Sequence, residues 1–433
     1  MTLKALRYGA IALFLAAATY GAASLDWCRR GAGGDLRLER SEAADGTLLV
    51  GGARVDLELP LPVVVAGYPP RRSQARRILY PLRSRALVLQ TNRLRVALVS
   101  VDLLTMPESL AAEIRAAVQD LRLAQIWVTA THSHSSAGGY DSSVLAQFAG
   151  TGLYQKAVRD SVSRAAVDAL RQATARLAPA SLEIGEGIFS QLVAPRSEGK
   201  RPDGRLTQLA FRSNGAPVAQ LIVFAAHPTL LPRQTDALAP DYPGLFSFDQ
   251  ESKGAGTTVL VQGALGNAAA AAVGENPLKA PLEFANALSA SLSQVQTSPV
   301  PSPRLAFSRV SVGLPQGDAS RIAPKSLSRL GSNFLCVAAP PRAEISALQV
   351  GAFRFVFLPG EPTPGAGQIF EAESGAQRTV ALTNGYIGYI ETPEIVRSGI
   401  GESKRQYFEP SLLPTLASGA RVAVQNLAFK QAR

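Results

Sequence analysis

Cysteine and histidine are both scarce in this sequence, which has two cysteines and three histidines among 433 residues. Two cysteines cannot build a disulfide framework, and the spacing of Cys28 and Cys336 gives no support for a bridge between them. They also give no support for a thiolate metal site. We therefore expect the fold to depend on a hydrophobic core, for which 46% apolar residues are sufficient.

The sequence also lacks the patterns typical of nucleic-acid and nucleotide binding. Its formal net charge is +11, but the basic residues occur in short clusters such as Arg71-Arg72 and not in one long run. This distribution predicts a solvated basic surface, suited to an anionic membrane, and no nucleic-acid partner. Gly31, Gly33 and Gly34 do not follow a strand, so they form no phosphate-binding loop.

The first thirty residues have the pattern of a targeting segment. Lys4 and Arg7 precede an apolar run of 18 residues from Tyr8 to Leu25, which predicts an exported protein, periplasmic or extracellular. A run of this length fits either a cleaved signal peptide or a retained N-terminal membrane anchor. Residues 31–47 are rich in glycine and charge and are expected to form a linker, with the folded domain at 48–433.

Apolar periodicity predicts a mixed α/β fold. Two hairpins are expected, with turns at Asn92 and at Asn214-Gly215. The other predicted strands are 124–130, 257–262, 305–312, 343–350, 353–358 and 379–382. The predicted helices are 107–121, 154–177 and 278–295. Because strands dominate after Arg304, we expect one large domain with a mixed central sheet and a β-rich C-terminal portion. A separate small C-terminal domain is the alternative.

Each of the three histidines follows an apolar strand. His132 and His134 come directly after 124–130, and their spacing of two places both imidazoles on one side of an extended backbone. His227 follows the second strand of the second hairpin and precedes a proline, which ends the strand. Ligands bind at strand ends in α/β sheets, and imidazole is a common zinc ligand, so a metal site is one interpretation. The histidines alone are weak evidence for it, and hydrogen-bonded structural histidines are the alternative.

Two later segments add oxygen ligands to this prediction. Glu361 lies at the end of the strand 353–358, and Tyr386 and Tyr389 lie in the turn-rich segment that follows 379–382. A zinc site that carries out catalysis combines histidine nitrogens with an oxygen ligand and keeps one position open.

Four motifs, in this order, resemble those of the neutral or non-lysosomal ceramidases. They are Thr131-His132-Ser133-His134-Ser135, Ala226-His227-Pro228-Thr229, Pro359-Gly360-Glu361 and Thr383-Asn384-Gly385-Tyr386-Ile387-Gly388-Tyr389. Weaker similarity extends from about Val50 to Glu409. The resemblance implies a Zn²⁺ ion held by His132, His227, Glu361 and Tyr389. It also implies two catalytic residues beside the metal: His134, which would contact the substrate or the transition-state oxygen, and Tyr407, which would line the same pocket.

The sequence departs from this family at a serine that takes part in amide cleavage. Asn267 and Ala269 stand where the family's G-D-x-S-P segment has its acid and its serine. Alanine can neither attack nor relay a proton. Ser135 and Ser136 are interpreted as hydrogen-bonding turn residues and not as replacements.

Two functions are consistent with these observations. The first is a zinc-dependent hydrolase of an amide (N-acyl) bond in a lipid-like substrate, since zinc can activate water without a serine. The alternative is a catalytically degenerate protein that retains zinc and lipid binding but has lost turnover. The sequence leaves open the substrate, the oligomeric state and the removal of the leader.

Overall fold

The computed structural model describes residues 33–69, 73–271, 274, 276–301 and 303–427, together with Leu13, Gly21, Leu25, Cys28 and Arg30. The predicted targeting segment 1–30 therefore lies almost entirely outside the described residues. Among the residues that are described, no helix is long and apolar enough to cross a membrane.

Three five-stranded sheets form the body of the protein. The N-terminal sheet has the order Gln125–Ala130, Leu94–Val101, Arg83–Thr91, Leu48–Asp56 and Ala178–Pro179. The middle sheet has the order Thr257–Gln262, Ala216–Phe224, Arg205–Ser213, Ser181–Ile188 and Thr297–Val300. The C-terminal sheet has the order Leu36–Ala44, Leu305–Gly313, Arg342–Val350, Phe353–Phe357 and Arg378–Val380.

Every one of these sheets is mixed, because one edge pair is parallel and the other neighbours are antiparallel. The predicted mixed α/β class is confirmed, with three sheets in place of a single central one. Both predicted hairpins are present, and Asn92 and Asn214 adopt the positive φ angles that their turns require. Four short pairs complete the strands: Val63–Val64 with Gln74–Ala75, Arg77–Ile78 with Ala237–Leu238, Val193–Pro195 with Ala268–Ala270, and Glu361–Pro362 with Tyr389–Ile390.

One helix packs on each sheet: Lys156–Ala175 on the N-terminal sheet, Asp241–Ser252 on the middle sheet and Leu412–Gln425 on the C-terminal sheet. The other helices in the described residues are Glu108–Ala117, Val144–Ala146, Ala280–Leu292, Ser328–Ala338, Pro364–Ser374 and Pro393–Ser398. Shorter turns lie at Gln119–Leu121, Gln147–Thr151, Ser190–Leu192, Lys325–Leu327 and Ser403–Arg405. The predicted helices 107–121, 154–177 and 278–295 are confirmed to within a few residues.

The inner faces of the three sheets meet in one apolar core. Leu98 and Trp127 come from the N-terminal sheet, Leu221 from the middle sheet, and Phe307 and Phe357 from the C-terminal sheet. The fully buried ring of Trp127 stacks on Phe357 with ring centroids 4.7 Å apart. The core therefore joins segments that are more than 200 residues apart in sequence.

Hydrogen bonds also cross between the sheets. The Ser100 hydroxyl donates to the Leu260 carbonyl over 2.7 Å, and the Gln262 amide donates to the Thr131 carbonyl over 3.0 Å. The side-chain oxygen of Asn384 accepts from the Val128 amide over 2.9 Å. The strand that leads to His132 is thus fixed from two sides.

The predicted linker 31–47 is wrong, because Leu36–Ala44 forms a nine-residue strand along the whole of Leu305–Gly313. Its charged residues are tolerated because it is an edge strand with a largely exposed face. The segment after Arg304 contains the predicted strands, and four helices of six or more residues lie between or after them.

Cys28 and Cys336 form a disulfide across 308 residues of sequence, a bridge for which their spacing gave no support. Cys336 lies in the helix Ser328–Ala338. Spacing gave no indication of the pair because only the folded chain brings these two positions together.

Candidate metal centre

Each sheet contributes one strand whose carboxyl end leads into the site. His132 and His134 follow Gln125–Ala130 of the N-terminal sheet, and His227 follows Ala216–Phe224 of the middle sheet. Glu361 follows Phe353–Phe357 of the C-terminal sheet, and it pairs directly with Tyr389 in a short parallel bridge. The structure therefore brings together the ligand residues that the sequence predicted.

The backbone at His132 adopts a left-handed conformation, with φ of +69°. This conformation is uncommon for a residue other than glycine, and it turns the imidazole toward His227. The Nδ1 atom lies 2.7 Å from the Leu104 carbonyl. A carbonyl only accepts, so Nδ1 carries a hydrogen, and Nε2 is the ring nitrogen directed at the site.

His227 has the same arrangement. Its Nδ1 lies 3.1 Å from the carbonyl of Ala268, whose oxygen also accepts from the His227 amide over 2.8 Å. Burial lowers the pKa of His227 to about 3, and the charges of Arg196 and His132 act in the same direction. His227 is therefore neutral at physiological pH, with its Nε2 lone pair facing the site.

The carboxylate of Glu361 lies between the two imidazoles. Its Oε2 atom is 3.3 Å from Nε2 of His132 and 3.2 Å from Nε2 of His227. Burial acts to raise the pKa of Glu361, but His132 and His227 outweigh it and hold the pKa well below its usual range. The Tyr389 hydroxyl lies 2.9 Å from Nε2 of His227. Burial raises the pKa of Tyr389, which keeps the phenol protonated.

These four side chains fit a bound metal ion. Ligand atoms ~2.0–2.1 Å from a tetrahedral metal ion are separated by ~3.3 Å, which matches the distances from Oε2 to both imidazoles. Among the described residues, the buried Oε2 atom of Glu361 has no hydrogen-bond partner, which is unfavourable for an ionised carboxylate unless a cation binds there. The backbone carbonyls that accept from both Nδ1 atoms are typical of metal-bound histidines.

His134 and Tyr407 lie beside this cluster. The Nε2 atom of His134 is 3.4 Å from Nε2 of His132, and the three imidazoles together could hold a metal ion. Burial lowers the pKa of His134 well below its usual value, with His132 and His227 acting in the same direction. The ring of Tyr407 packs so closely on Gly388 that a Cβ there would lie 2.7 Å from its Cδ2 atom. Both rings line the same cavity.

Arg196 is a site residue that the sequence analysis missed. Its Nη1 atom donates to Nε2 of His227 and, over 2.9 Å, to the Tyr389 hydroxyl. The side-chain oxygen of Asn267 accepts from the amides of Arg196 and Ser197 and so fixes the loop that carries the guanidinium. No motif marks Arg196, because it is one of many scattered arginines.

Ala269 lies next to His227, and the two residues form an isolated parallel bridge. The family's serine position is therefore at the site, but here it carries only a methyl group. The hydroxyl of Ser135 donates to the Ala239 carbonyl over 3.1 Å, and that of Ser136 to the Ser133 carbonyl over 2.8 Å. Both serines have the turn role predicted for them.

A cavity of about 830 Å³ opens onto the cluster. Its wall includes Tyr68, Leu104, Leu145 and Val337 as well as His132 and Glu361. The cavity is large enough for a drug-sized or lipid-like molecule.

Comparison with known proteins agrees with the fold and the cluster. The sequence profile described as neutral/alkaline non-lysosomal ceramidase, N-terminal, matches residues 49–276, more than half of the chain. The structure is similar to the crystal structure of neutral ceramidase from Pseudomonas aeruginosa, with a TM-score of 0.72, 18% identity, and coverage of 90% of this chain and 76% of that one. It is also similar to a ceramidase complexed with C2, with a TM-score of 0.75, 16% identity and coverage of 90% and 77%. No curated protein matches the sequence.

The fold and the histidine cluster are those of a ceramidase-like hydrolase with the capacity to hold a metal ion. The chain belongs to the neutral/alkaline non-lysosomal ceramidase family. The resemblance inferred from the four motifs is thereby confirmed.

Proposed function

We propose that this protein is a zinc-dependent hydrolase that cleaves the amide bond of an N-acyl, lipid-like substrate. One observation carries the proposal: Nε2 of His132, Nε2 of His227 and Oε2 of Glu361 converge at the spacing of metal ligands, beside the Tyr389 hydroxyl. Zinc suits this set because it accepts mixed nitrogen and oxygen ligands in tetrahedral geometry.

Bound zinc would supply Lewis acidity, which makes water a better nucleophile at neutral pH and polarises an acyl carbonyl. In the overall reaction, the oxygen of water bonds to the acyl carbon, the C–N bond breaks, and the amine nitrogen takes up the proton that water loses. This overall reaction of water with the amide does not require a serine nucleophile. His134, beside the ligand histidines, is placed to carry that proton, and Tyr407 is placed to position the acyl group.

The cavity supports a substrate with an acyl chain. Its wall has apolar side chains such as Leu104, Leu145 and Val337, and it leads directly to the ligand cluster. A related structure contains a ceramidase complexed with C2. By analogy, we propose an N-acyl lipid of the sphingolipid type as the substrate class.

We also propose that the protein is exported. The disulfide between Cys28 and Cys336 supports this location, because disulfides persist in oxidising compartments. The apolar run Tyr8–Leu25 is then either a signal peptide or an anchor.

The degenerate, non-catalytic protein is the second candidate, and two observations favour it. Ala269 cannot replace the chemistry of the family's serine. The guanidinium of Arg196 donates to His227 and Tyr389, so a side chain of the protein already brings positive charge to two of the ligand atoms.

Metal analysis combined with a hydrolysis assay separates the two functions. The hydrolase is expected to contain one zinc per chain and to release amine from a panel of N-acyl sphingoid, N-acyl amino acid and N-acyl ethanolamine compounds. Chelation and Glu361→Gln should abolish turnover, whereas the exposed-site control Glu373→Gln should leave it unchanged. Stoichiometric zinc without turnover of any compound would favour the degenerate protein, and absence of zinc would overturn both.

A further inference from the structure

An exposed apolar stripe runs along the helix Ser328–Ala338 and the turn that precedes it. Leu327, Leu330, Phe334 and Val337 are three or four residues apart, so they lie on one face, on which Leu330 is half-buried and the other three are exposed. Phe334 is 48% exposed and Val337 is 64% exposed, whereas Leu335 and Cys336 on the opposite face are buried. Large apolar side chains arranged in this way on a surface indicate an interaction site.

A second apolar segment lies on another wall of the same cavity. In 144–154, Val144, Phe148 and Leu153 are 61%, 77% and 72% exposed. Leu145 of this segment and Val337 of the helix both line the cavity that leads to the metal centre. The two exposed apolar segments therefore flank one cavity, and we call them together the apolar rim.

The charge around the helix indicates what kind of partner the rim fits. Residues 319–343 contain four basic residues, of which Arg321 and Arg342 form ion pairs with Asp318 and Asp35. Lys325 and Arg329 are exposed on the helix and the turn that leads into it. An amphipathic helix with exposed apolar and basic side chains is suited to the interface of an anionic bilayer.

The N-terminal segment is attached to the buried side of this same helix. Cys28 is disulfide-bonded to Cys336, and the Asn333 amide donates to the Leu25 carbonyl over 2.7 Å. The guanidinium of Arg30 donates to the carbonyls of Cys336, Ala339 and Pro340, which lie at the end of the helix. Cations stabilise such helix ends. Leu25 is also the last residue of the apolar run that begins at Tyr8.

We propose that the apolar rim docks on the surface of an anionic lipid bilayer, with the mouth of the cavity facing the membrane. The attachment of Leu25, Cys28 and Arg30 places the end of the apolar run beside this rim, so that an inserted leader and the rim would engage the same membrane. A substrate with acyl chains could then enter the cavity from the bilayer. The docking itself does not depend on whether the metal centre is catalytic.

Quenching by lipids with brominated acyl chains tests this surface even if the leader binds membranes by itself. Full-length Phe334→Trp and Ile188→Trp variants are mixed with vesicles of 70% phosphatidylcholine and 30% phosphatidylglycerol, and the fluorescence of the wild-type chain is subtracted. Ile188 is 70% exposed on the middle sheet and does not line the cavity. We expect quenching of the Phe334→Trp variant and none of the Ile188→Trp variant. Equal quenching, or none in either variant, would overturn the proposal.

A second copy of the chain is the competing occupant. Light scattering without vesicles gives the molar mass of the wild type and of Phe334→Asp, and so shows whether the chain forms a dimer through this surface. If the wild type is a dimer, Phe334→Asp dissociates it, and no lipid quenching is seen, the apolar rim binds a second copy of the chain and not a bilayer. For the bilayer we expect both full-length proteins to be monomers with the same melting temperature, since Phe334 is exposed.

Discussion

The hydroxyl of Tyr386 donates a 2.6 Å hydrogen bond to Oε1 of Glu361. This bond occupies one carboxylate oxygen and leaves Oε2 directed at His132 and His227. Burial raises the pKa of Tyr386 well above its usual value, with the charge of Glu361 acting in the same direction, so the phenol keeps its hydrogen. Tyr386 thus orients the ligand carboxylate although it is not itself one of the predicted ligands.

Replacement of this phenol should weaken metal binding. In Tyr386→Phe, Glu361 loses the hydrogen bond that orients it, and we expect zinc affinity to fall about 10–100-fold, as is typical when a group that orients a metal ligand is removed. Competition with a chromophoric chelator measures the effect, and Tyr154→Phe, at a position that is 39% exposed, is the control. Unchanged affinity in Tyr386→Phe would show that packing alone positions Glu361.

A serine at position 269 should increase hydrolysis. Ala269 is half-buried next to His227, so a hydroxyl fits with a cost in stability of less than about 1 kcal/mol. We expect Ala269→Ser to raise turnover of N-acyl substrates, or to create it if the wild type has none, while Ala270→Ser has no such effect. Steady-state amine release is the measurement. An inactive Ala269→Ser protein with full zinc would indicate that Asn267 must also be changed.

Arg196 should compete with the metal ion for His227. The Nε2 lone pair that accepts from the guanidinium cannot bind a cation at the same time. We expect Arg196→Gln to bind zinc about tenfold more tightly, since no charged group has to be displaced. Titration of the chelated protein gives the affinity. Weaker binding in Arg196→Gln would mean that the arginine organises the ligands and does not compete with zinc.

Asp241 should make stability depend on pH. It accepts hydrogen bonds from the amides of Leu230 and Leu231, just after His227, and burial raises its pKa to about 6. Because its pKa is raised relative to ~4 in the unfolded chain, its stabilising effect is complete below pH ~4 and is lost as pH rises through about 6. The shift of ~2 pKa units corresponds to at most about 3 kcal/mol.

Denaturation of the wild type and of Asp241→Asn between pH 4 and 7 measures this effect. As pH rises over this range, the unfolding free energy of the wild type should decrease relative to that of Asp241→Asn, because only the wild type acquires a buried charge. Asp236→Asn is the control at an exposed site. Asparagine tolerates the positive φ of residue 241. A difference that is constant with pH would contradict the raised pKa.

Loss of the disulfide should release the N-terminal segment from the helix Ser328–Ala338. We expect the double variant Cys28→Ser, Cys336→Ser to lose about 2–4 kcal/mol of stability and to be cleaved by protease near residue 30, because only hydrogen bonds such as those of Leu25 and Arg30 then hold the segment. Thermal unfolding and limited proteolysis are the measurements, and reduced wild-type protein should behave in the same way. If the double variant resists protease as well as the wild type does, the hydrogen bonds alone are sufficient to hold the N-terminal segment on the helix.

The candidate metal centre was predictable in part because three of its four proposed ligands follow a strongly apolar strand. His132, His227 and Glu361 each follow a run whose periodicity identifies it as a buried strand. The prediction that these residues converge rested on the resemblance to a family, because local sequence patterns do not specify which strand ends meet. The positive φ of His132 and the pairing of Glu361 with Tyr389 could be known only from the fold.

Other features had no local signal. Arg196 is placed by the side chain of Asn267, which lies 71 residues away. The strand Leu36–Ala44 was interpreted as a linker because its many charged residues obscure the apolar alternation, yet an edge strand can expose such residues. The helix Ser328–Ala338 has its apolar stripe on the solvent side and contains Gly331, so its pattern did not indicate a buried face.

The ligand set draws one strand end from each of the three sheets, and this has a consequence for how the protein responds to metal loss. No fragment that lacks one sheet can retain the full set of donors. On the proposed function, a bound ion would link all three sheets, and the free energy of unfolding would rise with the logarithm of the free ion concentration. Removal of the ion would then lower the protein's resistance to unfolding as well as the proposed activity.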